Sequence, residues 1–191
     1  MKKVYLLITL ISFVSCGVQK NTTVQKTTIV KKEVVKKIVT ATKNAKGDLI
    51  GFADKNSFNQ VPYQGWFDRN FTNYKIDKTT IAEISKNLKG ITIKGFMGTW
   101  CGDSKRETPR FYKVMEAAKF NFNNLDLITV NRSKRTPDNL QEGLQIIRVP
   151  TFIFYKKGKE IGRYVEYPRE SLEKDILKIV TQQPYKHSYE K

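Results

Sequence analysis

The residues that usually build metal centres and disulfide frameworks are nearly missing from this chain. Of 191 residues only two are cysteine, Cys16 and Cys101, and only one is histidine, His187, close to the C-terminal end. One histidine leaves too few nitrogen ligands for a zinc site, so no metal and no cofactor is expected. Two cysteines do not make a disulfide framework. Acidic residues are scarce as well, 18 against 35 basic ones, for a formal charge of +17. Long apolar runs are absent: the longest, Val4 to Val14, reaches roughly 17 Å as a helix against a hydrocarbon core of roughly 30 Å. What is present is a normal globular share of 39% hydrophobic and 12% aromatic residues, enough for a packed core. The length suits one domain of ordinary size with attachments, not two enzyme domains.

The N-terminal segment reads as a secretory signal. Lys2 and Lys3 form a positive start, the apolar run follows, and Phe13-Val14-Ser15-Cys16 closes it. That ending resembles the lipobox of bacterial lipoproteins. The resemblance implies cleavage before Cys16, a lipid-modified Cys16 and stable membrane attachment through several acyl chains. Residues 1–15 are then the signal peptide. Gly17 after the cysteine leans toward the outer membrane, with the protein facing the periplasm.

Where the charge lies matters more than its sum. Ten of the 35 basic residues and one of the 18 acidic ones precede residue 47, so signal and stalk carry +9 and the remainder +8. Residues 16–46, rich in Lys, Thr and Val, contain no aromatic residue and no proline, and read as a disordered stalk. Its lysines either favour anionic head groups or simply solvate a spacer. No nucleic-acid recognition motif occurs, so nucleic acid is not an expected partner.

Residues 47–75 form an aromatic-rich extension in which Phe67, Phe71 and Tyr74 recur at helical spacing, and packing is their expected use. From residue 76 the pattern predicts a helix capped by Asp77, a buried strand over 91–97, a helix over 104–120 and a strand over 125–130. A short helix over 136–144 follows, with Thr136 as cap and Pro137 at its first position. Strands over 150–156 and 160–167 make a hairpin, and an amphipathic helix over 169–182 closes the domain. Residues 184–191 read as a polar tail.

This order, with Trp100-Cys101-Gly102-Asp103-Ser104 opening a helix after a buried strand, resembles the thioredoxin-like fold. Pro109 stands where that family kinks its active-site helix, and Val149-Pro150-Thr151 resembles its cis-proline loop. The resemblance covers residues 76–183 and implies an α/β fold, a central mixed β-sheet flanked by helices. It also implies that Cys101 is the attacking thiol, with Trp100, Ser104 and Pro150 beside it. Gly102, Asp103, Val149, Pro150 and Thr151, with Trp100, would form a substrate groove. A helix N-terminus favours the thiolate; Lys105 and Arg106 push the same way and Asp103 opposes them.

Two departures constrain the chemistry. Ser104 occupies the place of the resolving cysteine, and a hydroxyl cannot release a mixed disulfide from within. Gly95 stands where the family keeps a buried acid. The reading is therefore an envelope protein that uses one sulfur in thiol–disulfide exchange, as isomerase or mixed-disulfide reductase. Its partners would be extracytoplasmic proteins with disulfides or oxidised thiols, together with an external thiol reductant. The alternative is a binding module that holds peptides in the same groove without turnover.

Overall fold

The computed structural model describes residues 38–191; the signal segment, Cys16 and the stalk up to residue 37 lie outside the described residues. Six strands form one sheet: β1 (Thr42–Lys43), β2 (Leu49–Ala53), β3 (Ile91–Met97), β4 (Leu125–Thr129), β5 (Thr151–Lys156) and β6 (Lys159–Val165). Their order is β1-β2-β4-β3-β5-β6. Only β3 and β4 run parallel; the other pairings are antiparallel, so the sheet is mixed, as expected. The helices are α1 (Gln64–Asn73), α2 (Lys78–Asn87), α3 (Gly102–Ala117) and α4 (Leu172–Val180).

The period-two alternation of the strands assigns the two faces. Ile91, Ile93 and Met97 of β3, Leu125 and Leu127 of β4, and Phe152 and Phe154 of β5 join one cluster. The same cluster holds Phe67 of α1, Ile81 and Ile84 of α2, Phe111 of α3 and Ile176 of α4, so all four helices bury against this face. The intervening residues Phe96, Ile128 and Ile153 make a smaller cluster on the opposite face with Val130 and Val149.

That second face carries the main departure from the expected elements. Residues 136–144 form a chain of turns rather than a helix, and Leu140, Leu144 and Ile146 cover the small cluster from those turns. Thr136 does accept the Leu140 N–H at 2.9 Å, which is the start of a cap. Positive φ at Asn139, Gly143 and Gln145 then breaks the helical path. The cap and Pro137 were legible; the left-handed residues that cancel them were not.

The folded part also begins earlier than the composition suggests. β1 and β2 pair as a hairpin, Thr42 opposite Ile50, so residues 42–46 belong to the domain rather than to the stalk. The Asn44 side chain holds the turn by accepting the N–H groups of Lys46 and Asp48, each at 2.9 Å. Gly47 supplies the positive φ of 77°. Lys43 donates to the Val61 carbonyl at 3.0 Å, so at least one lysine ascribed to the stalk has a structural partner.

The aromatic extension packs. Phe58 stacks on Phe67 at 5.1 Å, Phe67 continues to Phe71 and Tyr112, and Trp66 fills the edge. Its helix α1 does a second task for α3. Pro109 lies inside α3 and has no N–H, so the Lys105 carbonyl four residues back loses its helical donor. Asn70 of α1 supplies one instead, its amide donating to Lys105 O at 3.1 Å.

Candidate functional site

The sulfur site is built where β3 ends. The chain leaves the sheet at Met97, turns through Gly98-Thr99-Trp100, and enters α3 with Cys101 as its N-cap residue. Cys101 is extended (φ −89°, ψ 129°), and its N–H donates to the Gly98 carbonyl at 2.9 Å. The Cys101 side chain makes no capping hydrogen bond, and its half-buried sulfur sits at the positive end of the helix dipole. The thiol donates to the Val149 carbonyl at 3.2 Å. The Val149–Pro150 peptide is cis, and both residues are buried. The fold thus brings Cys101 against a loop 48 residues away in sequence.

Trp100 lies beside the sulfur, half-buried, with its indole N–H donating to Val130 O at 2.9 Å. The guanidinium of Arg132 sits over its ring at 5.6 Å. The ring also crosses the backbone of Gly98 so closely that a Cβ there would lie 2.5 Å from Trp100 Cε2. Gly98→Ala is therefore expected to dislodge the indole and cost about 1–3 kcal/mol. A red-shifted, more quenchable tryptophan emission with a lower urea midpoint would show it; an unchanged spectrum would contradict the packing.

The other residues singled out from sequence are placed as follows. Gly102 is exposed in the first turn of α3, and nothing crowds it. Ser104 is fully buried, and its hydroxyl accepts the Gly98 N–H at 3.2 Å, on the inward side of the helix below Cys101. Thr151 is buried and donates to the Arg148 carbonyl at 2.7 Å, bracing the cis-proline loop. Asp103 does not act alone against two cations. Its carboxylate accepts Arg106 at 2.6 Å, and Arg106 also donates to Glu107 at 2.7 Å, so this charge is settled within the first turns. Lys105 forms no ion pair among the described residues.

Gly95 has a structural reason. It lies on the helix face between Leu127 and Phe152, and a Cβ there would meet the Phe152 ring at 2.8 Å and Leu127 Cδ1 at 3.1 Å. Phe152 in turn stacks on Phe111 of α3 at 3.8 Å between centroids. An aromatic pair fills the volume in which an acidic side chain from β3 would have to sit.

Sequence reasoning missed a buried acid on the helix that Cys101 opens. Glu107 on α3 is 1% exposed and accepts from Arg106, from Arg110 at 2.9 Å and from the Tyr164 hydroxyl at 3.0 Å. Burial, then the neighbouring Glu107 carboxylate, pushes the Tyr164 phenol far above its ordinary range, which keeps it a donor. Glu107 lies four residues before Phe111 and seven before Val114, on the apolar stripe of the helix. A charge on that stripe was the available signal. Thr99 was missed too: its buried hydroxyl accepts the Leu49 N–H at 3.0 Å and ties β2 to the loop before Trp100.

Among the described residues no group of His, Cys, Asp and Glu could hold a metal ion, and no helix is long and apolar enough to cross a membrane.

A cysteine at the N-terminus of the helix that leaves a central strand, facing a cis-proline peptide, defines a thiol protein of the thioredoxin-like fold. The sequence pattern of the Thioredoxin family matches residues 72–178, and the chain belongs to that family, whose general chemistry is thiol–disulfide exchange. Among its relatives is a thioredoxin-like protein of Acanthamoeba polyphaga mimivirus, 33% identical over 94 residues, covering 49% of this chain and 66% of that one. Human thioredoxin is 28% identical over 111 residues, covering 56% of this chain and 97% of its own length. A solved protein of unknown function from Pseudomonas aeruginosa superposes with a TM-score of 0.54 at 15% identity, covering 68% of this chain and 92% of that one. At that identity the likeness concerns the fold alone.

Proposed function

We propose that this protein carries out thiol–disulfide exchange through Cys101 alone, as a lipid-anchored protein of the bacterial envelope. The observation that carries the reading is Cys101 Sγ at a helix N-terminus, 3.2 Å from Val149 O of the cis-proline loop, with a buried serine at 104. The Cys101 thiolate attacks one sulfur of a partner disulfide, a bond forms between the two sulfurs, and the other partner sulfur leaves as a thiolate that takes a proton. An extended substrate can pair along the peptide before Pro150, beside the flat face of Trp100. The resulting mixed disulfide persists until an external thiol attacks it. Isomerisation and removal of mixed disulfides suit such a protein, because both begin and end with one sulfur. The anchor through Cys16 and the envelope location rest on the signal and lipobox pattern.

The protein should therefore serve as its own trap. Acid-quenched cells, processed without reductant, are expected to yield disulfide-linked complexes that collapse with dithiothreitol and are lost in Cys101→Ser. Full cellular function of Cys101→Ser would favour the binding module instead. Membrane fractionation of Cys16→Ala tests the anchor separately.

A further inference from the structure

Beside the cis-proline loop lies a cavity of about 420 Å³ that the sulfur chemistry does not use, within the size range of ligand pockets. The C-terminal segment, expected to be a loose polar tail, builds its far wall. Arg169 donates to the carbonyls of His187 and Glu190, each at 3.2 Å, Ser188 donates to Tyr167 O at 2.6 Å, and the Tyr189 hydroxyl bonds Glu166. Glu166 in turn donates its N–H to the Pro150 carbonyl at 2.8 Å, so the tail is fastened to the loop that faces Cys101.

The polar groups around this cavity are not balanced. Its two carboxylates are engaged: Glu160 accepts both forks of Arg163 at 2.7 Å, and Glu190 accepts the His187 N–H at 2.8 Å. Each nitrogen of Arg163 has a partner, since the third donates to Leu144 O at 2.9 Å. Arg148 is different. Its guanidinium lies over the Tyr189 ring at 3.7 Å, its only ion pair among the described residues, to Glu166, is 3.4 Å long, and its side chain is 45% exposed. The contact with the ring leaves most of its five N–H donors without a partner among the described residues. Gln145, on the same cavity, has an amide that makes no hydrogen bond among the described residues.

We propose that this cavity is a specificity pocket for a carboxylate: the acidic side chain of a partner polypeptide within three residues of the sulfur that Cys101 attacks. Arg148 would take it bidentately, with Gln145 as a second donor. The covalent arm of the proposal rests on Cys101 being the attacking thiol; the pocket does not. Arg148 immediately precedes Val149, whose carbonyl meets the sulfur, so a strand laid along that peptide passes the pocket mouth. The exposed Ile147 offers such a strand an apolar neighbour there.

The test uses acetylated, amidated heptapeptides whose one cysteine is carried as a 2-pyridyl disulfide, with Glu or Gln at each of the three positions on either side. Attack by the Cys101 thiolate on the peptide sulfur joins the two and expels pyridine-2-thione, which takes a proton and is read by absorbance. At the best position Glu is expected to react about tenfold faster than Gln, as for one charge-assisted contact. In Arg148→Gln that ratio should fall below about twofold, with Arg148→Lys between, because an ammonium keeps the charge but not the fork. In parallel, the same peptides with serine in place of cysteine are titrated against Cys101→Ser protein by fluorescence anisotropy. A Glu-over-Gln preference there that Arg148→Gln removes supports the pocket even if Cys101 proves unreactive, an outcome that would sink the thiol reading alone. Equal binding and equal rates for Glu and Gln, or a preference that survives Arg148→Gln, would overturn the pocket.

Discussion

Ser104→Cys is expected to speed the release of any partner joined to Cys101 through a disulfide. Cys101 and Ser104 are one helical turn apart, and the Ser104 hydroxyl already lies inside the fold, accepting the Gly98 N–H at 3.2 Å. A sulfur at that position attacks from within, with no second molecule to be recruited, and effective molarities for well-oriented groups are very large. Release of a peptide joined to Cys101 should therefore accelerate by at least about a hundredfold in the absence of added thiol. The cost is the bond to Gly98, about 1 kcal/mol of stability. The measurement is a preformed mixed disulfide followed by mass spectrometry under nitrogen. Spontaneous release from the unaltered protein would end the one-sulfur mechanism, and unchanged kinetics in Ser104→Cys would mean that this helix position cannot reach the adduct.

Glu107→Leu is expected to give a large loss of stability, about 3–5 kcal/mol. The reason lies in what remains. Arg106, Arg110 and the Tyr164 hydroxyl converge on this one carboxylate, at 2.7, 2.9 and 3.0 Å, and Leu would leave all three facing an apolar group. Arg110 already has one buried nitrogen without a partner, so it has little with which to compensate. Glu107→Gln keeps the shape and one acceptor and should lose less, about 1–3 kcal/mol. Urea midpoints at neutral pH would rank them, and a Leu variant as stable as the parent would show that the network contributes nothing net. A second readout concerns the sulfur site. Arg106 is shared between Glu107 and Asp103, so loss of Glu107 removes one negative charge from the N-terminal part of α3 and leaves Arg106 paired with Asp103 alone. Alkylation of Cys101 by an anionic reagent should then rise relative to a neutral one, a change that mere destabilisation does not predict.

Much of this architecture was legible because it is local. Ile91 to Met97 reads as a buried strand, Asp77 precedes a helix whose Thr79 and Thr80 N–H groups it accepts, and Trp100-Cys101 followed by Pro109 marks the helix that leaves the strand. What was missed depends on partners remote in sequence. Thr42 and Lys43 look like stalk until Ile50 and Leu49 come alongside them. Thr136 and Pro137 look like a helix start until the turns that cover Phe96 and Ile128 impose left-handed residues on the segment. The tail looks solvated until Arg169 and Tyr167 supply its hydrogen bonds.

The division between the two sources of information is therefore physical. The sequence by itself determined the count of cysteines: Cys101 in the domain, with Ser104 one turn on, and Cys16 at the end of a signal-like run. No packing can add a resolving thiol to the domain. It also determined the helix and strand periods, because these follow from residues a few positions apart. Only the tertiary structure decided which groups meet Cys101 and which acids are buried. Val149 reaches the sulfur across 48 residues and Tyr164 reaches Glu107 across 57, and such encounters are set by sheet register and not by local pattern. The same register places Phe152 beside Gly95, and so leaves no room for a side chain at that point of the strand.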